Sequence, residues 1–384
     1  MSDATKKLLA EAFNQIADAL ETGVYGERTR VGVTVIGSEH GVEEIVRGAE
    51  MAQAANPDIE VVLVGPEVDS KLARIPANSE QEQHKAMEKA LESGELAACV
   101  TMHYSFPIGV STVGRVITPG KGREMFLATT TGTSATDRVE AMVKNAIYGI
   151  ATAKAQGIAN PSVGILNVDA ARSVERALLK LKENGYDINF AESVRADGGS
   201  VMRGNDLLVG APDVMVTDTL TGNVLMKVFS AYTSGGDYET TGYGYGPGIG
   251  EGYDKIILIL SRASGAPVVA NALKYAAEVA KGNLLSVVAQ EFAAARKAGL
   301  EDLFKKEAKA ATAEPETVTA PPEKVTTEEI PGIDILELEE AQQVVWKAGI
   351  YVATGMGCTG PVILTAEEDF DAVVEILKKA GYIS

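Results

Sequence analysis

Apolar positions recur at helical spacing over residues 5–21, where Leu8, Leu9, Ala12, Phe13, Ile16, Ala17 and Leu20 share one face and Gly23 ends the run. The pattern then changes to short apolar runs separated by amphipathic segments. Val31–Ile36 reads as a buried strand, Gly37–Gly41 as a turn, Val42, Ile45, Val46 and Ala49 as a helix face, and Glu60–Val64 as a second strand. A charged helix over 80–93 precedes an apolar strand, Leu96–Met102. Ser162–Val168 is another strand, followed by a helix carrying Val174, Ala177, Leu178 and Leu181 and stopping at Asn184–Gly185. Asp187–Phe190 reads as a short strand, and Asp213–Thr217 leads through Asp218–Asn223 into a helix with Val224, Leu225 and Val228 apolar. Lys255–Leu260 is a core strand, and a helix ends near Lys281–Gly282. Strands alternating with helices at this spacing predict an α/β protein.

Beyond the core the pattern changes twice. Helical sequence continues to about 311, and residues 311–330 are then dominated by Ala, Thr, Glu and Pro, which reads as a linker. The tail predicts a small β/α module: a helix over Leu336–Lys347, a strand over Gly349–Ala353, and a strand over Val362–Leu364. A capping box at Thr365–Glu368 then opens a last helix that buries Phe370, Val373, Val374 and Leu377. The expected division is therefore an N-terminal helix (1–29), a core (30–283), a helical extension (284–310), a linker (311–330) and a tail module (331–384).

Composition narrows the function classes. With 384 residues and 46 % hydrophobic content the chain can bury a large core. A formal net charge of −18 disfavours nucleic acid and anionic membranes, so an anionic substrate needs a local positive pocket or backbone N–H groups. Two cysteines, Cys99 and Cys358, make no disulfide framework or zinc cluster, and three scattered histidines make no metal site. The N-terminus lacks the basic and apolar regions of a signal peptide, and the apolar run Ile256–Leu260 is too short to cross a bilayer, so a reduced, cytoplasmic protein is expected.

Candidate chemistry gathers at a few turns. In Gly355–Pro361, Cys358 lies among glycines, which permit close ligand approach and unusual backbone angles. Neighbouring N–H groups, at Gly357, Thr359 and Gly360, can hold an oxyanion and stabilise a thiolate; a tight turn with an incidental cysteine is the alternative. Cys99, in Ala-Ala-Cys-Val, reads as a buried small hydrophobe. His103 follows a strand at the edge where α/β proteins place ligands, and it can act as a base, a phosphate ligand or a structural histidine. Gly37–Gly41 and Thr129–Ser134 can each present N–H groups to an anion or serve as ordinary connections and caps. Asp218, Thr219, Thr221, Gly222 and Asn223 combine a carboxylate, hydroxyls, a glycine and an amide at a strand's carboxyl end. Arg262 has the fork geometry that suits phosphate. The glycine-rich stretch Gly235–Gly252 matches neither a Walker loop nor a dinucleotide fingerprint, and reads as a surface loop, with a mobile lid as the alternative.

These residues carry a resemblance. Over roughly 30–282 the chain resembles phosphate acyltransferases of phospholipid synthesis, through Gly37–Gly41 with Val61–Gly65, through Ser162–Val168 and most specifically through Asp213–Asn223. That resemblance implies the two-domain α/β/α fold of isopropylmalate and isocitrate dehydrogenases, and synthesis of acyl phosphate from a thioester and inorganic phosphate. The sequence departs at His103–Pro107, where the family usually shows Gly-Asn-Thr-Gly-Ala. With the linker and the Gly-Met-Gly-Cys-Thr-Gly-Pro tail included, the whole chain is similar to the protein C alpha-subunit family of glycine/sarcosine/betaine reductases, found in amino-acid-fermenting anaerobes. This implies that Cys358 is the active-site thiol. It also implies that a carboxymethyl selenoether on selenoprotein A becomes an acetyl thioester, and that phosphate releases acetyl phosphate. The partners implied are the beta subunit of protein C and selenoprotein A in a hetero-oligomer, with no cofactor beyond phosphate as substrate. Asp218, Thr219, Thr221, Gly222 and Asn223 are then expected at the phosphate or acyl site, aided by Ser264, Arg262 and His103. Long-chain acyl phosphate synthesis for lipids is the competing expectation.

Overall fold

The computed structural model describes residues 3–23, 28–196, 198–304, 318–331, 333, 338–357 and 360–383. The first helix, α1 (Asp3–Thr22), is amphipathic as its spacing predicts, yet Leu9, Phe13, Ile16 and Leu20 are exposed and join no buried cluster. The core begins with β1 (Thr29–Thr34), α2 (Val42–Ala55), β2 (Ile59–Gly65), β3 (Ala73–Pro76), α3 (Glu80–Glu92) and β4 (Ala98–Thr101). Two strands, β5 (Val110–Ile117) and β6 (Glu124–Thr133), pair antiparallel, and α4 (Arg138–Ala155) and β7 (Ser162–Leu166) follow. Next come α5 (Ala171–Glu183), β8 (Asn189–Phe190), β9 (Val201–Met202), α6 (Gly204–Val209), β10 (Val214–Val216) and α7 (Thr219–Ala231). The core closes with β11 (Gly246–Gly250), β12 (Ile257–Ile259), α8 (Ala266–Lys281) and α9 (Leu284–Lys297).

Among the described residues the core strands form one sheet in the order β3-β2-β1-β4-β12-β11-β5-β6-β10-β7-β8, with β9 beside β7. Two parallel blocks flank an antiparallel seam: β3, β2, β1, β4 and β12 on one side, and β6, β10 and β7 on the other. The seam strand β11 runs antiparallel to both β12 and β5. The α/β class is therefore the observed one, with helices supplying the apolar faces that bury Val31, Val33, Ile147, Val269 and Leu273.

The seam corrects one expectation. Gly246–Gly250 is a fully buried central strand, where the sequence pattern suggests a surface loop or lid. The reason is steric. A side chain on Gly248 would strike the Phe106 ring, and one on Gly246 would strike the Val113 carbonyl, so glycine is what lets these neighbours approach. Thr129–Thr133 likewise ends β6 and is no cap, since α4 is capped by Asp137, whose carboxylate accepts from the Glu140 N–H.

The tail has its own sheet and its own core. β13 (Glu328–Pro331), α10 (Leu338–Lys347), β14 (Ala353–Gly357), β15 (Gly360–Thr365) and α11 (Phe370–Ala380) enclose Ile330, Leu338, Val345, Val352, Ile363, Val373 and Leu377. Both β13 and β14 pair antiparallel with the central β15. Three expectations change here. The last residues of the stretch read as linker form β13. The strand expected at Gly349–Ala353 lies at Ala353–Gly357. The capping box is absent, because Thr365 is buried as the end of β15 and Glu368 is drawn to Lys324 instead.

Candidate active site

The tail meets the core at the segment after β4. The Met356 N–H donates to the Phe106 carbonyl at 3.2 Å, and the Thr133 hydroxyl donates to the Met356 sulfur at 3.2 Å. From the neighbouring tail strand, Glu329 reaches the same segment. Its Oε1 accepts from the Ser105 hydroxyl at 2.5 Å and lies 3.3 Å from His103 Nε2. The other carboxylate oxygen faces the tail hairpin, where a Cβ placed on Gly357 would come within 2.6 Å of Glu329 Oε2. Glycine at 357 is thus required for the carboxylate to lie against the β14 backbone. Core and tail together enclose a small cavity of about 40 Å³ bounded by Met102, His103, Thr131, Gly132, Ile259, Met356 and Gly357, among others.

Electrostatics at this junction favour the carboxylate. The hydrogen bond from His103 holds the Glu329 carboxyl below its ordinary range; partial burial opposes this, and the Ser105 hydroxyl assists it. His84 stands behind His103, with ring centroids 6.3 Å apart, and burial, reinforced by the charge of His103, lowers its proton affinity. Tyr104 turns the other way, donating to Glu88 at 2.7 Å, and its ring lies edge-on to Phe106. Cys99 is fully buried in β4, and burial pushes its thiol well above the ordinary thiol range, so it is no nucleophile at neutral pH.

The Asp218–Asn223 cluster is placed at the start of α7. Asp218 is the N-cap: its carboxylate accepts from the Thr221 N–H at 3.0 Å and from the Thr221 hydroxyl at 2.6 Å. Arg138 lies 3.3 Å from the same carboxylate. The Thr219 hydroxyl meets that of Thr129 at 3.1 Å, and the Asn223 amide donates to the Thr130 carbonyl. Gly222 packs so closely on the Thr129 carbonyl that no side chain fits there. The helix start is thus fastened to the end of β6, and Thr131, one residue beyond, lines the cavity with His103 and Gly357.

Other expected residues lie further round. Ser264 is fully buried and donates to Glu239, a tether for the 261–265 turn. Arg262 is half-exposed and faces Glu80 at 3.7 Å. The turn is tied to α7 by Lys227, which donates to Ser261 and approaches Glu239 at 3.5 Å. Cys358 and Thr359 lie outside the described residues; Gly357 and Gly360, which bracket them in sequence, are paired across β14 and β15. Glu329, Ser105 and Arg138 were not singled out from sequence. Glu329 sits in a stretch whose Thr, Glu and Pro content reads as linker, and only the buried Ile330 beside it hints at a strand.

The chain is similar to known proteins along its length. The family described as "Fatty acid synthesis protein" matches residues 29–364. The chain is 59 % identical over 387 aligned residues, covering 100 % of both chains, to "Glycine/sarcosine/betaine reductase complex component C subunit alpha" of Peptoclostridium acidaminophilum. It is 27 % identical over 240 residues to a phosphate acyltransferase of Geobacillus sp. (strain WCH70), covering 52 % of this chain and 70 % of that one. Among solved structures, a branched-chain phosphotransacylase from Enterococcus faecalis V583 aligns with 65 % of this chain and 99 % of its own at 14 % identity, with a TM-score of 0.46.

Proposed function

Since the chain belongs to the fatty acid synthesis protein family, and within it to the component C alpha-subunit family of glycine/sarcosine/betaine reductases, we propose that it forms acetyl phosphate by phosphorolysis of an acetyl thioester carried on Cys358. It acts as one subunit of a multi-component reductase. The beta subunit of component C and the selenoprotein that presents the carboxymethyl selenoether are its partners in this reading, and inorganic phosphate is its substrate. Among the described residues no helix is long and apolar enough to cross a membrane, and the reading assigns the protein to the cytoplasm. The two-domain dehydrogenase-like division of the core belongs to the same proposal.

One observation carries the reading. Gly357, which precedes Cys358 in sequence, lines the cavity together with His103 and the end of β6, and this supports the reading. Phosphorolysis there is a single acyl transfer. An oxygen of hydrogen phosphate attacks the thioester carbonyl, the new C–O bond replaces the C–S bond, and the phosphate's proton ends on the departing sulfur. The products are acetyl phosphate and the free thiol. Backbone N–H groups at Gly357, Thr359 and Gly360 stabilise the tetrahedral oxyanion. The start of α7, with Thr219 and Asn223 fastened to β6 and Arg138 beside Asp218, supplies the phosphate side; Arg262 and Ser264 support the adjoining turn.

The test is acetyl release in the assembled complex. Cys358→Ser should lower phosphate-dependent acetyl phosphate formation by about 10³-fold or more, with an acetyl adduct on the wild-type tail peptide seen by intact mass. Formation at the normal rate by the Ser variant would sink the covalent route and favour direct transfer from another acyl carrier.

A further inference from the structure

One helix of the core is apolar on both of its long faces. α7 buries Met226 and Phe229 where it packs on β5 and β6. On its opposite side Leu220, Val224, Val228 and, at the C-cap, Tyr232 are each more than half exposed. These four recur at every fourth residue, so they form one ridge about 18 Å long. Among the described residues no other core helix exposes more than one large apolar side chain. A helix that is apolar all round belongs in an interior, so this ridge calls for a cover. The ridge also begins within the candidate site, because Leu220 lies between Thr219 and Thr221.

The chain carries a second uncovered ridge of matching length. In α1, Leu9, Phe13, Ile16 and Leu20 share one face over about 17 Å, and none of them joins a buried cluster. The charges along the two helices are complementary when they run antiparallel. Lys6 and Lys7 stand near the start of α1, and Asp18 and Glu21 near its end. α7 starts at Asp218 with Arg138 beside it, and exposed Asp237 follows its end. Antiparallel packing also sets the positive end of each helix against the negative end of the other. The chain's own α7 is a poor target for its α1. Residues 23–28, fully extended, span at most about 24 Å. β1, which follows them, and β6, beneath α7, stand five places apart in the sheet, about 24 Å before the height of α7 is counted.

We propose that α1 of one chain lies antiparallel on α7 of a second copy, so that two copies exchange their N-terminal helices. Each α1 then ends over Leu220 and covers the start of the other copy's α7, beside Asp218 and Thr219.

The experiment is photo-crosslinking in the full chain, with a benzophenone side chain in place of Phe13 and with ordinary and heavy-nitrogen chains equilibrated together before irradiation. Peptides of α1 should be found joined to peptides of α7 in mixed-isotope pairs. In sedimentation the wild type should be a dimer, and Phe13→Glu and Val228→Lys should each weaken it about 100-fold. The two substitutions combined in one chain should restore most of the loss, since they place opposite charges on the two facing ridges. Both positions are exposed, and buried Cys99 reports on folding through its protection from alkylation. If Cys99 becomes labelled in Val228→Lys, the crosslink, which needs no change in α7, decides. Links from α1 to α7 found only within one isotope, or links from α1 to α1 alone, overturn the exchange. So do a monomeric wild type, an undiminished dimer in Val228→Lys with Cys99 protected, and an α7 face that is shielded only once the beta subunit is added.

Discussion

Two acidic residues mark the two halves of the candidate site, and they are satisfied in opposite ways. Asp218 finds its partners within one turn of its own helix, in the N–H and hydroxyl of Thr221, with Arg138 added from α4. Glu329 finds none in its own strand; its partners are His103 and Ser105, across the boundary between tail and core. A carboxylate closed on its own helix stabilises that helix wherever it is found. A carboxylate whose bonds exist only when two modules meet makes the arrangement of those modules part of the chemistry. The first is therefore expected to show its effect in folding as well as at the phosphate, and the second chiefly in how the two modules meet.

The sharpest way to break the comparison is Glu329→Lys. It replaces the acceptor with a cation facing His103, and displacement of the hairpin by about 1 Å is enough to lower turnover roughly 100-fold, measured as acetyl phosphate formation, while the core's urea midpoint stays within error. Gly248→Val attacks the platform beneath the junction, because its side chain collides with Phe106, whose carbonyl holds Met356. Overpacking of this kind costs about 1–3 kcal/mol, read from denaturant unfolding, with activity falling as Phe106 shifts. Asp218→Ala removes an N-cap and should cost about 1 kcal/mol with hydrogen exchange at the Met356 amide unchanged; faster exchange there would erase the distinction between the two carboxylates. The smallest effect is with pH. Because the folded Glu329 pKa is lowered from 4.5, its contribution to tail docking is complete above that value and fades as pH falls through the depressed one. Hydrogen exchange at the Met356 amide should accelerate over that acid range in the wild type and show no such step in Glu329→Gln.

Much of the core was legible because its signals are local. The apolar period of Val42, Ile45, Val46 and Ala49 is set by one helix face, and α2 is found there. Asp213–Thr217 reads locally as a strand, and β10 lies within it, while the helix that follows starts earlier than expected, at Thr219, with Asp218 as its N-cap. The strand Gly246–Gly250 was not legible, since its glycines answer to Phe106, Val113 and Val110, neighbours from distant sequence, and glycine without that context reads as a turn. Glu329 was hidden for the same reason. Its strand is defined by pairing with β15, more than thirty residues later in the chain, and its partners lie in the segment after β4. His103 was visible as a candidate because a strand's carboxyl end can be read locally; its partner could be found only from the fold.

The tail sheet also sets an order in time. Its central strand, β15 (Gly360–Thr365), is the last of its three strands to be synthesised, and β13 and β14 touch it but not each other. Until β15 has left the ribosome, Glu329 has no sheet to hold it and His103 no carboxylate beside it. The core can fold first, as domains made early in synthesis generally do. A chain that stops short of β15, or has not yet grown past it, would thus carry a formed core with its junction unassembled, and the junction with Glu329 would form only once β15 has emerged.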